Sequence, residues 1–147
     1  MGKEKYLVEA GEDHLTYTFY SVGPKGSILK IILYQKISEN LYNLAFGDST
    51  GSGFEFDDFI RTDNKDAEIV LATVASTLYH FFEYYDGSLV VAQGSTHSRT
   101  RLYRRYLTIF IDAIKHDFGL FGELDGELER FRIGVDYQSF LIKKIKK

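Results

Sequence analysis

The feature that most constrains the fold is a change in hydrophobic period near Asp63. Before it, segments such as Leu41–Phe46 and Phe54–Asp57 alternate in a manner typical of half-buried β-strands. Short turns separate these segments, and the turn Gly23–Gly26 contains the only proline of the chain. Because strands joined by short turns pair antiparallel, this region predicts a β-meander of about five strands.

After Asp63, apolar residues recur at helical spacing. Asp63 and Asn64 are suitable N-caps and Gly87 suits the position just beyond the end, so a helix is predicted between them. A second helix is predicted from about His97 to Asp117. The predicted buried face of the first helix consists of Ala67, Val70, Leu71, Val74, Leu78, Phe81, Phe82 and Tyr85.

The remaining segments favour strands. Leu89–Ala92 predicts a buried strand, and Leu120–Ile133 predicts a hairpin that turns at the dipeptide Asp125-Gly126. Tyr137–Ile142 predicts a last packed segment, and Lys143–Lys147 a frayed basic end. The predicted fold is therefore α+β: an N-terminal antiparallel β-meander of about five strands, then helix–strand–helix and a C-terminal β-hairpin, with two helices packed on a curved sheet.

Length and composition limit the class of protein. The chain has 147 residues, 44% of them hydrophobic and 27% charged, and no interdomain linker, so residues 1–147 are predicted to form a single domain. The absence of cysteine excludes disulfides and thiolate metal sites. Since no apolar run approaches transmembrane length and the N-terminal segment lacks a signal-peptide core, we expect a cytoplasmic protein with no membrane partner.

The charge is unevenly distributed along the chain. The overall net charge is −3, but residues 1–93 carry a net −7 and residues 94–147 a net +4. A basic half can form an anion-binding face, and it can also attract the acidic half within one fold. Both interpretations stay open at this point.

One segment combines the features of an anion site, at the junction between the predicted strand Leu89–Ala92 and the second predicted helix. The N-terminus of a helix presents free N–H groups and a positive dipole end to an anion. Glycine lets the backbone approach a ligand closely, and hydroxyl groups donate hydrogen bonds to the ligand. Arginine binds a phosphate through two parallel N–H groups. The candidate ligand-binding residues are Gly94, Ser95, Thr96, Ser98, Arg99, Arg101, Arg104 and Arg105.

A purely structural interpretation of the same segment is equally specific. Ser95 or Thr96 would cap the helix, and the arginines would pair with surplus acids of residues 1–93. The candidate acidic partners are Asp57, Asp58, Asp63 and Asp66. The four histidines do not suggest a metal site, and no phosphate-loop or dinucleotide motif occurs, so we predict no catalytic residue, metal or cofactor.

Aromatic residues make up 16% of the chain. In the meander they could stack on nucleic-acid bases or form a protein interface, although alternation must turn half of them toward the core. Base stacking also needs basic strands, and residues 1–93 are acidic. The candidates are Tyr17, Phe19, Tyr34, Tyr42, Phe54 and Phe56.

Several short motifs together resemble those of a family of small bacterial proteins of unknown function. The motifs are Gly23–Gly26, Tyr42–Asp48, Val70–Thr77, Gly94–Thr96, Arg99–Arg104 and Tyr137-x-x-Phe140-Leu141. The resemblance covers nearly the whole chain, and the proteins of this family are about 150 residues long. It implies a single-domain unit of this length, and it implies no activity.

These observations rank three functions. The first is a binding module for an anionic, phosphate-bearing ligand, such as a nucleotide or nucleic acid, held at Gly94–Arg105. The alternative is a protein–protein interaction or regulatory adaptor, including a homodimer, that uses exposed aromatic residues. The lesser alternative is an enzyme that acts on a phosphorylated or acylated substrate.

Overall fold

The computed structural model describes residues 5–49, 56–57, 65–93, 101, 104–105, 107–108, 111–112 and 114–145. The elements with defined bounds are β1 Glu9–Ala10, β2 Thr16–Gly23, β3 Gly26–Ser38, β4 Leu41–Ser49, β5 Phe56–Asp57, α1 Ala67–Tyr84, β6 Leu89–Ala92, β7 Phe118–Leu124, β8 Glu127–Arg130 and β9 Ser139–Lys144. Between residues 101 and 114, the described residues also have helical backbone. Within the described ranges, no helix is long and apolar enough to cross a membrane.

The chain divides into two compact units. The first contains Met1–Tyr34 and Ala45–Tyr84, and the second contains Gln35–Leu44 and Tyr85–Lys147. The division falls inside β3 and again inside β4, so each of these strands contributes residues to both units.

In the first unit, the strands are hydrogen-bonded in the order β1-β2-β3-β4, and β5 pairs with β4. Helix α1 packs on the face of this sheet that carries Tyr17 and Tyr34. The ring of Tyr34 stacks on Phe81 with centroids 4.4 Å apart, and its hydroxyl lies 2.9 Å from the Thr77 hydroxyl. Burial raises the pKa of the Tyr34 phenol far above its ordinary value, so this hydroxyl stays protonated inside the core.

Polar side chains inside the first unit have defined partners. The carboxylate of Asp66, directly before α1, accepts hydrogen bonds from the Tyr6 hydroxyl at 2.6 Å and the Ser21 hydroxyl at 2.5 Å. Burial, followed by the hydrogen bond to Asp66, raises the pKa of Tyr6. Lys30 of β3 and Asp48 of β4 form a buried ion pair. These groups are satisfied within the unit, which supports a structural role for them.

In the second unit, the strand order is β4-β6-β9-β7-β8. The pairing of β4 with β6 is parallel, whereas the β6–β9, β9–β7 and β7–β8 pairings are antiparallel. Parallel neighbours need a long connection, and the chain between β4 and β6 contains α1. The core of this unit includes Val90, Ile114, Phe118, Leu120, Phe131, Tyr137, Phe140 and Ile142.

The predicted α+β fold, with two helices on a five-stranded meander, is wrong. Strands form most of the regular structure, the pairing is mixed, and α1 is the one helix whose full bounds lie among the described residues. The predicted second helix, from about His97 to Asp117, lies partly outside them. The physical reason is long-range pairing: β9 pairs with both β6 and β7, and β6 pairs with β4, so the C-terminal strands join the sheet that contains β4. Local hydrophobic periodicity does not encode such partners.

The C-terminal segment also differs from its prediction. The predicted hairpin around Asp125-Gly126 is present as β7 and β8, with Leu124 opposite Glu127. The prediction that Lys143–Lys147 forms a frayed end is wrong for Lys143 and Lys144, since both lie in β9 and pair with β7. Backbone pairing with a neighbouring strand therefore orders this segment while both lysine side chains stay exposed.

Candidate functional site

The second unit has a sheet face opposite its core. Side chains alternate across β9, so Ile142 points into the core while Leu141 and Lys143 point to the outer face. The strand register places Leu141 opposite Phe121, and Phe121 opposite Arg130. One row across β9, β7 and β8 thus presents an aliphatic side chain, an aromatic ring and a guanidinium.

The ring of Phe121 lies over Gly119, two residues earlier in β7. A Cβ built on Gly119 would be 3.2 Å from Cε1 of Phe121 and 3.5 Å from Cγ of Lys143. Because Gly119 has no side chain, the Phe121 ring can lie along β7 in the space that a larger residue at position 119 would fill. In this position, the ring centroid lies 6.0 Å from Cζ of Arg130 and 5.9 Å from Nζ of Lys143. These distances are within the range of cation–π attraction.

Two depressions adjoin this ring, and we call them together the cationic groove. One has a volume of about 580 Å³ and extends to Ser88, Lys144 and Ile145. The other has a volume of about 420 Å³ and extends to Leu128 and Leu141. Both are lined by Leu89, Phe121, Arg130 and Lys143. The groove thus has an aromatic and aliphatic floor with cationic side chains around it.

The cationic groups of the groove lie close to few acidic groups. Within the described part of the chain, no carboxylate forms an ion pair with Arg130, Lys143 or Lys144. Asp86 contributes a negative charge to one end of the groove, and Glu129 lines the other. The local balance is therefore positive, which favours anions over cations.

Glu129 is held by two neighbours. Its Oε2 accepts hydrogen bonds from the Tyr137 hydroxyl at 2.6 Å and from Nη2 of Arg132 at 2.7 Å. The bond from Tyr137, followed by the bond from Arg132, lowers the pKa of the Glu129 carboxyl below its ordinary value. Arg132 balances this charge, so Glu129 does not cancel the charge of Arg130.

Tyr137 fixes the backbone beneath the groove. Its ring lies so close to Gly122 of β7 that an added Cβ would be 2.3 Å from the ring. Its hydroxyl donates to Glu129 of β8 and accepts the N–H of Arg132 at 3.1 Å. One buried side chain thereby links β7, β8 and the segment before β9, on the side of the sheet opposite Phe121 and Arg130.

Comparison with known families adds one result. The model of a family of unknown function, DUF6934, matches residues 2–145. The chain belongs to DUF6934. This confirms the resemblance to a family of unknown function inferred from the motifs. No curated protein matches the chain, and no solved structure matches it.

The junction predicted to bind anions in this DUF6934 chain lies mostly outside the described residues, which do not include Gly94, Ser95, Thr96, Ser98 and Arg99. Arg101 and Arg105 are exposed. Nη1 of Arg104 lies 3.3 Å from both the Val135 carbonyl oxygen and Oδ1 of Asp136. Arg104 therefore pairs with an acid of its own unit.

The acidic residues considered as partners of these arginines either bind other groups or lie outside the described residues. Asp66 is buried and bonded to Tyr6 and Ser21. Asp58 and Asp63 lie outside the described residues, as does the side chain of Asp57. Arg104 pairs with Asp136 rather than with an acid of residues 1–93.

The aromatic residues proposed to stack on the meander face are core residues wherever their side chains are described. Tyr17, Phe19, Tyr34 and Tyr42 are buried. Phe54 and the side chain of Phe56 lie outside the described residues. These four side chains therefore offer no surface on which a base could stack, as the alternation and the acidic charge of residues 1–93 already indicated.

Sequence reasoning missed Phe121, Arg130, Lys143 and Lys144 as groove residues. One signal for the first pair was present, because a two-residue turn at Asp125-Gly126 places Phe121 opposite Arg130 by counting outward from Leu124 and Glu127. The two lysines were assigned to a frayed end. Among the described residues, no group of three or more metal-ligating side chains occurs.

Proposed function

We propose that this protein is a binding module for an anionic, phosphate-bearing ligand, and that the ligand occupies the cationic groove of the second unit. One observation carries the proposal: the Phe121 ring lies between two cationic groups, Arg130 and Lys143, on an open face. An aromatic ring flanked by cations suits a ligand that has both a flat apolar part and a negative part.

The chemistry of the lining supports a nucleotide-type ligand. Arg130 can donate two parallel N–H groups to a phosphate, and Lys143 supplies a point charge. Phe121 and Leu89 provide apolar surface on which a base can lie. A bare inorganic anion would use the cations but leave this apolar surface uncovered.

The junction Gly94–Arg105 stays a proposed second contact for the same class of ligand. It belongs to the same unit as the groove, and its described residues Arg101 and Arg105 are exposed. A ligand with several phosphates could use both regions, since each would neutralise a separate negative charge.

The test is an amide NMR titration of the full chain with inorganic phosphate and then with a mononucleotide. We expect saturable shifts at Gly119, Phe121, Arg130 and Lys143, larger for the mononucleotide because only it covers the ring. Lys143→Gln is expected to weaken binding, whereas Lys115→Gln, which removes a cation paired with Asp112, serves as the matched control. Shifts confined to Gly94–Arg105 would transfer the site there, and an absence of saturable shifts would reject the proposal.

A second candidate function is association with a protein partner, which is favoured by exposed apolar side chains near β8. Leu128 is 56% exposed and Ile133 is 64% exposed, and β8 is the end strand in the order of its unit. An end strand with apolar side chains is a known site of strand pairing between chains. Sedimentation of the wild type and of Leu128→Asp separates the two functions: a mass that rises with concentration only in the wild type favours self-association.

A further inference from the structure

We infer that the ligand of the cationic groove is a single-stranded nucleic acid, which spans both depressions and stacks one base on Phe121. The inference rests on the proposed function and adds the class of ligand. It follows from the extent of the groove, from the positions of the cations on both sides of the ring, and from the composition of the floor.

The groove extends on both sides of the ring. The two depressions, of about 580 and 420 Å³, share Leu89, Phe121, Arg130 and Lys143, so they form one track with the ring in its middle. A mononucleotide stacked on Phe121 would fill one side and leave the other empty, whereas a strand continues across the ring.

The cations stand on different strands that flank the strand of the ring. Lys143 belongs to β9 and Arg130 to β8, and β7 with Phe121 lies between them. Two strand spacings separate the backbones of β9 and β8 by about 10 Å. A base that stacks on the ring displaces the two cations from over it. Each cation can then bind a phosphate on its own side of the ring, which matches a chain with a phosphate before and after each base. A mononucleotide has a phosphate on one side only.

The floor favours stacking over recognition of base edges. Leu89, Leu128, Leu141 and the Phe121 ring are apolar, so the centre of the track offers few hydrogen bonds to distinguish one base from another. Stacking on an aromatic ring tolerates any base. It also requires an unpaired base, because the bases of a duplex are already stacked within the helix. We therefore expect a preference for single strands with little sequence selectivity.

The decisive experiment is fluorescence anisotropy of the full chain with labelled oligomers of thymidine and of uridine, one to eight nucleotides long. A duplex of eight base pairs and inorganic polyphosphate serve as competitors. We expect affinity to rise on the order of 10-fold between one and four nucleotides, because a longer strand reaches both depressions and both cations as well as the ring. The duplex and polyphosphate are expected to compete weakly. The thymidine and uridine series show whether DNA or RNA is preferred.

Two variants locate the binding. Phe121→Leu keeps an apolar side chain but removes the ring, and we expect affinity for the oligomer to fall about 5- to 150-fold. In Phe121→Leu, affinity for inorganic phosphate should not change. The double variant Arg130→Gln/Lys143→Gln replaces two exposed side chains, which makes it a second probe that does not depend on core packing. Lys115→Gln is the matched control, and an unchanged amide spectrum outside the groove establishes that each variant folds.

The outcomes separate this inference from the proposed function. If phosphate and mononucleotides bind the groove and longer oligomers bind no better, the single-strand inference is wrong and the phosphate-binding function stands. If polyphosphate competes as well as the oligomer, or Phe121→Leu binds the oligomer like the wild type, base stacking is rejected. If no phosphate-bearing ligand binds, both proposals fall. Length-dependent binding that is lost in both variants supports both.

Discussion

The ring of Tyr137 lies against Gly122 so closely that no larger residue fits at this position of β7. A Cβ at Gly122 would be 2.3 Å from two atoms of the ring. Since the hydroxyl of the same tyrosine binds Glu129, the ring cannot retreat without losing that hydrogen bond. The contact therefore couples the identity of one glycine to the geometry of the strands that carry the groove.

Gly122→Ala is expected to lower the free energy of unfolding by at least about 2 kcal/mol, because the added methyl group overlaps a buried ring. Urea denaturation followed by circular dichroism measures the change. Gly11→Ala is the control: a Cβ there meets neighbours at 3.6 Å or more, and its effect should stay within about 0.5 kcal/mol. Equal stability of the two variants would show that the ring moves freely.

Acid is expected to weaken the fold through Glu129. Its pKa lies below the ordinary value of 4.5 because Tyr137 and Arg132 donate hydrogen bonds to the charged form. A carboxyl with a lowered pKa in the folded state stabilises the protein above pH 4.5, and this contribution disappears as pH falls through the folded-state pKa. We expect the urea midpoint to fall more steeply below pH 4.5 in the wild type than in Glu129→Gln. Parallel pH profiles for the two proteins would contradict this.

The buried ion pair between Lys30 and Asp48 gives a third prediction. Lys30→Met leaves a buried carboxylate without its lysine partner, so a loss of about 3–5 kcal/mol is expected. The double variant Lys30→Met/Asp48→Leu should recover much of this loss, because both charges are then absent. The exposed pair Lys115–Asp112 is the control, where Lys115→Ala should cost no more than about 1 kcal/mol. A double variant as unstable as the single one would mean that the pair itself is not the cause.

Salt dependence offers a fourth prediction, specific to the groove. If Arg130 and Lys143 each contact a phosphate, each single Gln variant should reduce the slope of log affinity against log salt by about 0.7. The slope is measured with a labelled oligomer of eight nucleotides at several salt concentrations. An unchanged slope in both variants would mean that the phosphates bind elsewhere.

That residues 1–147 form a single domain stays a prediction, and the two units make it testable. Their boundary falls within β3 and within β4, and a continuous strand is a poor place for independent unfolding. We expect one cooperative transition, with the same urea midpoint for amide signals of Val74 in the first unit and Val90 in the second. Two separate midpoints would show that the units unfold independently.

The elements that could be predicted from sequence are those fixed by local chemistry. The Asp125-Gly126 turn specifies a hairpin, and helical spacing after Asp63 predicted α1, which the structure places at Ala67–Tyr84. The parallel pairing of Leu41–Asn43 with Leu89–Val91 joins residues far apart in the chain, and no local pattern encodes such a partner. For the same reason, the sequence did not predict that β9 lies between β6 and β7.

The candidate site could be predicted only in part from the sequence, because its residues are also brought together by long-range strand pairing. Alternation establishes that Tyr17 and Phe19 share a face, but it does not state which face is covered, and both residues are buried. Lys143 and Lys144 resemble a solvated charge run until their partners in β7 are known. Arg104 was predicted either to bind an anion or to pair with an acid of residues 1–93, whereas its partner is Asp136, which only the tertiary fold brings near.

The position of β9 has a consequence for synthesis on the ribosome. β9 comes after β6 and β7 in the chain but pairs with both of them. While residues 139–144 are still inside the exit tunnel, the emerged β6 and β7 each have an unpaired edge, and unpaired edges attract other chains. The nascent chain thus passes through an aggregation-prone interval that ends when β9 emerges.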